Sequence, residues 1–148
     1  LFNGAAARLA ALLPAARRRE IAAAMRKQND KLAALLKSPN GSFAALYDLD
    51  DQFHRQCIDG AGGIRLRALY HAVSSQGERY GRAYASAIDH TAIFRRPASS
   101  SPAEHQAIID AIVAGDAGRA EAAALLNWRN ATERLRRVIV SAGERGSY

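Results

Sequence analysis

The 148-residue chain has little cysteine, proline, tryptophan or lysine: one Cys, four Pro, one Trp and three Lys. A single cysteine, Cys57, excludes an internal disulfide and a cysteine-based zinc site, and it fits a reducing compartment such as the cytoplasm. Scarce proline leaves long stretches free to remain helical. No apolar run approaches the roughly 20 residues of a membrane span, and no signal peptide is evident, so no membrane partner is expected. Alternating apolar and polar runs rich in β-branched residues are also missing, so nothing reads as strand.

What is present is alanine (33 residues), leucine and arginine (18 residues), with 49% hydrophobic and 24% charged residues. That composition describes an all-α globular domain. The formal charge is +7. Such a balance invites a nucleic-acid reading. Residues 1–37, however, hold 8 basic and 2 acidic residues, so +6 of the charge sits in the first quarter of the chain. The run Arg17-Arg18-Arg19 reads as a solvated face. The chain opens on Leu1, inside a helical pattern, and reads as a fragment of a longer protein.

Six helices are expected. The first spans about residues 2–13 and stops before Pro14, and the second spans about 15–37 with Ile21, Ala24, Met25, Leu32, Leu35 and Leu36 on its apolar face. The third runs from about Ser42 to Ile58 and ends at Gly60-Ala61-Gly62-Gly63. The fourth covers about 64–92. In the fifth, Ser101-Pro102-Ala103-Glu104 has the form of a capping box, with serine as cap and proline in the first turn. That helix runs to Ala114, where Gly115 can close it and Asp116 can cap the sixth, about 117–142. Short connections imply antiparallel packing.

The informative feature is polar residues on core-facing stripes. Phe43, Leu46, Tyr47, Phe53, Cys57 and Ile58 mark one face of the third helix. Asp50 and His54 fall on the same face, one turn apart. His105 shares the face of Ile108, Ile109 and Ile112. Asn127 lies in the row of Ala120, Ala124, Ala131, Leu135 and Val138. Isolated buried polar groups are costly unless they satisfy one another or bind something. A carboxylate with two imidazoles suits zinc, nickel or ferrous iron. A hydrogen-bonded His–Asp pair in an ordinary core explains the same spacing about as well. Cys57 reads as a buried inert thiol. Trp128 reads as packed at a helix interface, and His71 and His90 as structural or surface residues.

Two segments carry a family resemblance. Asp50-Asp51-Gln52-Phe53-His54 matches a D-x-x-F-H signature. Glu104-His105-Gln106-Ala107-Ile108-Ile109-Asp110-Ala111-Ile112 matches E-H-x-x-I-x-x-A-I, followed by Gly115-Asp116 and Ala120 as G-D-x-x-x-A. In order and spacing they resemble the FCD domain, the effector-binding domain of GntR-type bacterial transcription regulators. The resemblance implies an antiparallel bundle of six or seven helices filling residues 1–148. It implies a homodimer, a small carboxylate effector and a divalent metal held by Asp50, His54 and His105. The family's last ligand is a histidine. This chain has Asn127 there, a weak or water-mediated ligand. The resemblance also implies an upstream winged helix-turn-helix domain, absent from these residues, that contacts operator DNA.

Gln76, Arg79 and Tyr80 border the apolar row of the fourth helix and are the effector-binding candidates, with arginine suited to a carboxylate. A ligand-sensing, non-enzymatic domain is the expected function. A metal-dependent helical enzyme acting on a small organic acid is the alternative, disfavoured because no general base remains once the ligands are assigned. A plain nucleic-acid-binding bundle, suggested by the charge, is the third reading.

Overall fold

A computed structural model describes residues 2–39, 42–74 and 100–141. Six helices stand among them, and no strand does. They are α1 (Phe2–Ala11), α2 (Ala15–Lys37), α3 (Phe43–Ala61), α4 (64–74), α5 (Ser101–Ala114) and α6 (Ala117–Ser141). The chain folds as an all-α antiparallel bundle. No helix among the described residues is long and apolar enough to cross a membrane.

Alanine explains how tightly the bundle closes. Ala6, Ala7, Ala10 and Ala11 of α1 are all buried, and α1 packs against α3, α5 and α6. Small side chains allow that central position, because backbones can approach without displacing neighbours. Larger residues fill the space beyond: Met25 from α2, Phe53 and Ile58 from α3, and Ile108, Ile109 and Ile112 from α5. Each such side chain contributes about 1.5–3 kcal/mol by leaving water. The apolar stripe of α3 is placed as its spacing predicts, with Leu46, Phe53, Cys57 and Ile58 buried. Burial pushes the Cys57 thiol up to about 12, which keeps it protonated and unreactive.

Several helix ends differ from expectation. The third helix does not stop at Ile58: α3 continues through Gly60 and closes at Gly62, whose N–H donates to Ile58 O at 2.7 Å. Gly60 is there for packing. A Cβ at that position would lie 2.7 Å from Ile21 Cγ1, so the missing side chain lets α2 and α3 approach. The capping box at Ser101 does not form either. Ser101 already lies within α5, is buried, and accepts from Arg134 Nη2 at 3.1 Å. Glu104 turns across to α6 instead.

Other ends follow the sequence. Ser42 Oγ accepts from Ala45 N–H at 3.1 Å and caps α3. Gly115 takes the left-handed conformation, φ 76°, and Asp116 Oδ1 accepts from Arg119 N–H at the start of α6. Arg17 and Arg19 of the arginine run are exposed. Arg18 is half-buried: its Nη1 donates to Leu13 O at 3.0 Å, and its guanidinium lies 3.1 Å from where a Cβ on Gly115 would sit. Trp128 is not packed at an interface. It is 54% exposed, because it lies one residue, about 100° of helix, from the inward-facing Asn127.

Candidate metal centre

The centre is assembled from four helices. On α3, the four-residue spacing stacks Asp50 and His54 on one face, and Phe53 lies beneath them in the core. On α5, the row of isoleucines that faces the core carries His105 inward, to complete burial. Asn127 enters from α6, and Asn29 enters from α2.

The ligand atoms offered by Asp50, His54 and His105 all lie within 4.8 Å of one another. His105 Nε2 is 3.3 Å from Asp50 Oδ1, and His54 Nε2 is 3.9 Å from Asp50 Oδ2. The second distance is too long for a hydrogen bond. The ordinary core His–Asp pair that the spacing allowed is therefore not formed between these two residues. His105 Nε2 is fully buried and has no properly directed hydrogen-bond partner. Donor atoms bound at about 2.1 Å in a tetrahedral shell lie about 3.4 Å apart. A carboxylate and two imidazoles at these separations, one with an orphaned buried nitrogen, fit a divalent cation.

Charge and burial prepare the group. Burial drives His54 down to about 4, against the pull of Asp50, so the ring is neutral and free to ligate. The Asp50 side chain is 36% exposed, the least buried of the three. Desolvation pushes its carboxyl up, but the contact with His105 and the electrostatic influence of the two imidazoles and of the Arg134 guanidinium outweigh this. The carboxyl is held below its usual range.

Aromatic packing and amides hold the rings. Phe53 stacks on His105 with ring centroids 3.7 Å apart and planes 8° from parallel. His54 meets His105 edge-on at 5.3 Å and 87°. His105 Nδ1 is 3.1 Å from Asn29 Oδ1, and Asn29 Nδ2 donates to Pro102 O at 3.0 Å. Asn127 Nδ2 donates to Glu104 Oε2 at 2.9 Å, while Glu104 Oε1 accepts from Arg134 at 2.8 Å, Ser100 at 3.0 Å and Asn130 at 3.2 Å. Burial alone would raise Glu104, but the hydrogen bonds from Arg134, Asn127 and Ser100 bring it below the ordinary glutamate range. An ionised Glu104 can only accept, so the amide nitrogen of Asn127 faces it. The Asn127 oxygen is then the end of the amide turned away from Glu104.

Of the four sequence-derived candidates, Asp50, His54 and His105 meet at one point, and Asn127 is buried and bonded to Glu104, the neighbour of His105. Gln76, Arg79 and Tyr80 lie outside the described residues, as does His90. His71 is an exposed residue 3.5 Å from Asp59. Asn29 and Glu104 went unrecognised in the sequence. The signal for Asn29 was present: it stands four residues after Met25 and three before Leu32, on their stripe. Glu104 was hidden by its fit to a capping box.

A scan against protein-family models matches the FCD domain over residues 2–130. The chain belongs to the FCD domain family. FCD domains are the effector-binding regulatory domains of GntR-type regulators. No curated protein and no solved structure matches the chain. The D-x-x-F-H segment of this FCD domain supplies three parts of the candidate centre: candidate ligand Asp50, stacking Phe53 and candidate ligand His54. Its E-H segment supplies His105 together with the carboxylate that orients Asn127.

Proposed function

We propose that this FCD domain is the sensing domain of a cytoplasmic GntR-type bacterial transcription regulator. It holds a divalent cation on Asp50, His54 and His105, with the Asn127 oxygen as a weak or water-mediated fourth donor. A small carboxylate metabolite binds at the cation, with Gln76, Arg79 and Tyr80 as the sequence's candidates for contacting it. The domain acts as a homodimer and biases an N-terminal winged helix-turn-helix domain toward or away from operator DNA. Such control requires the effector to bind the two states of the regulator with different affinity.

The observation that carries this reading is the buried, unpartnered His105 Nε2 beside the Asp50 carboxylate and the neutral His54. When bound, the cation would supply a positive charge and open positions for an anionic effector. The partial exposure of Asp50 would give a small acid access to that charge. The enzymatic alternative gains nothing from Glu104. That carboxylate is clamped by four donors and held ionised, which makes it a weak base.

The test is elemental analysis and calorimetry on protein purified without a histidine tag. Near-stoichiometric zinc, nickel or manganese is expected, with His105→Ala removing most of it. Small mono- and dicarboxylates should raise the melting temperature of the metal-loaded protein and leave the stripped protein unchanged. A site that stays empty after incubation with these metals would overturn the metal reading. Sequence-specific duplex binding by this chain alone would overturn the assignment of DNA contact to another domain.

A further inference from the structure

We infer that Asn29 is the positioning residue of this centre: it selects Nε2 of His105 as the ligating nitrogen and holds the ring's rotation. The inference rests on the metal reading above. Asn29 belongs to α2, a helix that contributes no ligand, and it is buried.

The two ends of an amide are chemically opposite, and here one end is determined independently. Pro102 O is a backbone carbonyl and can only accept, so the group 3.0 Å from it is the Asn29 NH2. The Asn29 oxygen then faces His105 Nδ1 at 3.1 Å. That oxygen can only accept, so Nδ1 carries the hydrogen. A neutral imidazole protonated at Nδ1 has its lone pair on Nε2. In this structure Nε2 faces Asp50 Oδ1 at 3.3 Å. A lone pair opposite a carboxylate oxygen is repulsive unless a cation or a proton lies between them.

The same amide bridges two residues of one helical turn, Pro102 and His105. It therefore ties the first turn of α5 to α2 while it orients the ring. Phe53 restricts the plane of the imidazole by stacking, and Asn29 restricts rotation within that plane. A ligating histidine whose other nitrogen donates to a fixed acceptor is the usual outer-shell arrangement of metal sites.

The experiment uses metal-stripped wild type, Asn29→Leu, Asn29→Asp and Asn29→Ser. Zinc affinity is read by competition with a chromophoric chelator. Cadmium-113 binding is read by NMR on protein with nitrogen-15-labelled histidine, and folding by circular dichroism. Wild type should show cadmium coupled to His105 Nε2, with a slowly exchanging Nδ1–H. Asn29→Leu should bind zinc about 10–100-fold more weakly and lose the slow Nδ1–H. Asn29→Asp should recover much of the affinity, because a carboxylate accepts the same hydrogen. Asn29→Ser carries the comparison if Asn29→Leu does not fold. Cadmium on Nδ1, or folded variants whose affinity stays within about threefold of wild type, would overturn the proposal. If wild type takes up no metal, the centre itself is refuted. Loss of the slow Nδ1–H in Asn29→Leu would then separate the clamp from the centre.

Discussion

The Asn127 amide donates to the Glu104 carboxylate across 2.9 Å, and this bond decides which end of the amide faces the histidines. Under the metal reading proposed above, position 127 would offer an oxygen donor where the resemblance implies a histidine. Asn127→His would replace the proposed weak carbonyl donor by an imidazole, whose second N–H could donate to Glu104 in place of the amide. Zinc and nickel should bind about tenfold tighter or more in this variant. Calorimetric titration against wild type checks it, and an unchanged or weaker affinity would place position 127 outside the coordination shell.

Glu104 should matter for stability as well as for the site. Its ion pair with Arg134 is mostly shielded, with side chains 16% and 11% exposed. Glu104→Ala would leave the Arg134 guanidinium in that environment without its carboxylate. A loss of about 3 kcal/mol is expected in urea unfolding. Glu104→Gln keeps an acceptor and should lose less. Equal, small losses for both would mean that the pair is solvated in solution.

Stability of the metal-free protein should fall on mild acidification. His54 has a folded pKa of about 4, against an ordinary value of 6.5. Between these values the unfolded chain binds a proton that the folded chain excludes, so stability declines as pH drops through that window. The whole shift corresponds to roughly 3 kcal/mol. The depressed Asp50 carboxyl acts in the same direction below its ordinary value of 3.8. Urea melts in EDTA from pH 7 to pH 4 should show the slope, and His54→Gln should flatten it. A wild-type profile that is level from pH 7 to pH 4 would refute the burial of a neutral His54.

Gly60→Ala should destabilise the protein, although alanine is the better helix former by about 1 kcal/mol. The added Cβ would meet Ile21 Cγ1 at 2.7 Å and force α2 away from α3. A net loss of about 1–2 kcal/mol is expected. Gly60→Ala with Ile21→Val should recover part of it. Thermal and urea melts of the single and double variants measure both.

The helical periodicity of Phe43, Leu46, Phe53, Cys57 and Ile58 was enough to place Asp50 and His54 on an inward stripe. The isoleucine row did the same for His105. These inferences held because one helix determines its own faces. The ends of helices were less legible. Ser101-Pro102-Ala103-Glu104 has the local chemistry of a capping box, yet Ser101 and Glu104 are taken by Arg134 and Asn127 from α6. A local rule yields when a distant residue offers a stronger, charge-assisted bond.

The sequence alone determined the all-helical class, the inward polar stripe and the candidate ligands, since periodicity and residue chemistry are properties of each segment. Only the tertiary structure decided how those segments meet. It brought Asn29 of α2 to His105 of α5, turned the amide nitrogen of Asn127 to Glu104, and left His105 Nε2 buried without a directed partner. The orientation of a side chain is set by the groups packed against it, and here those groups come from helices far apart in the chain.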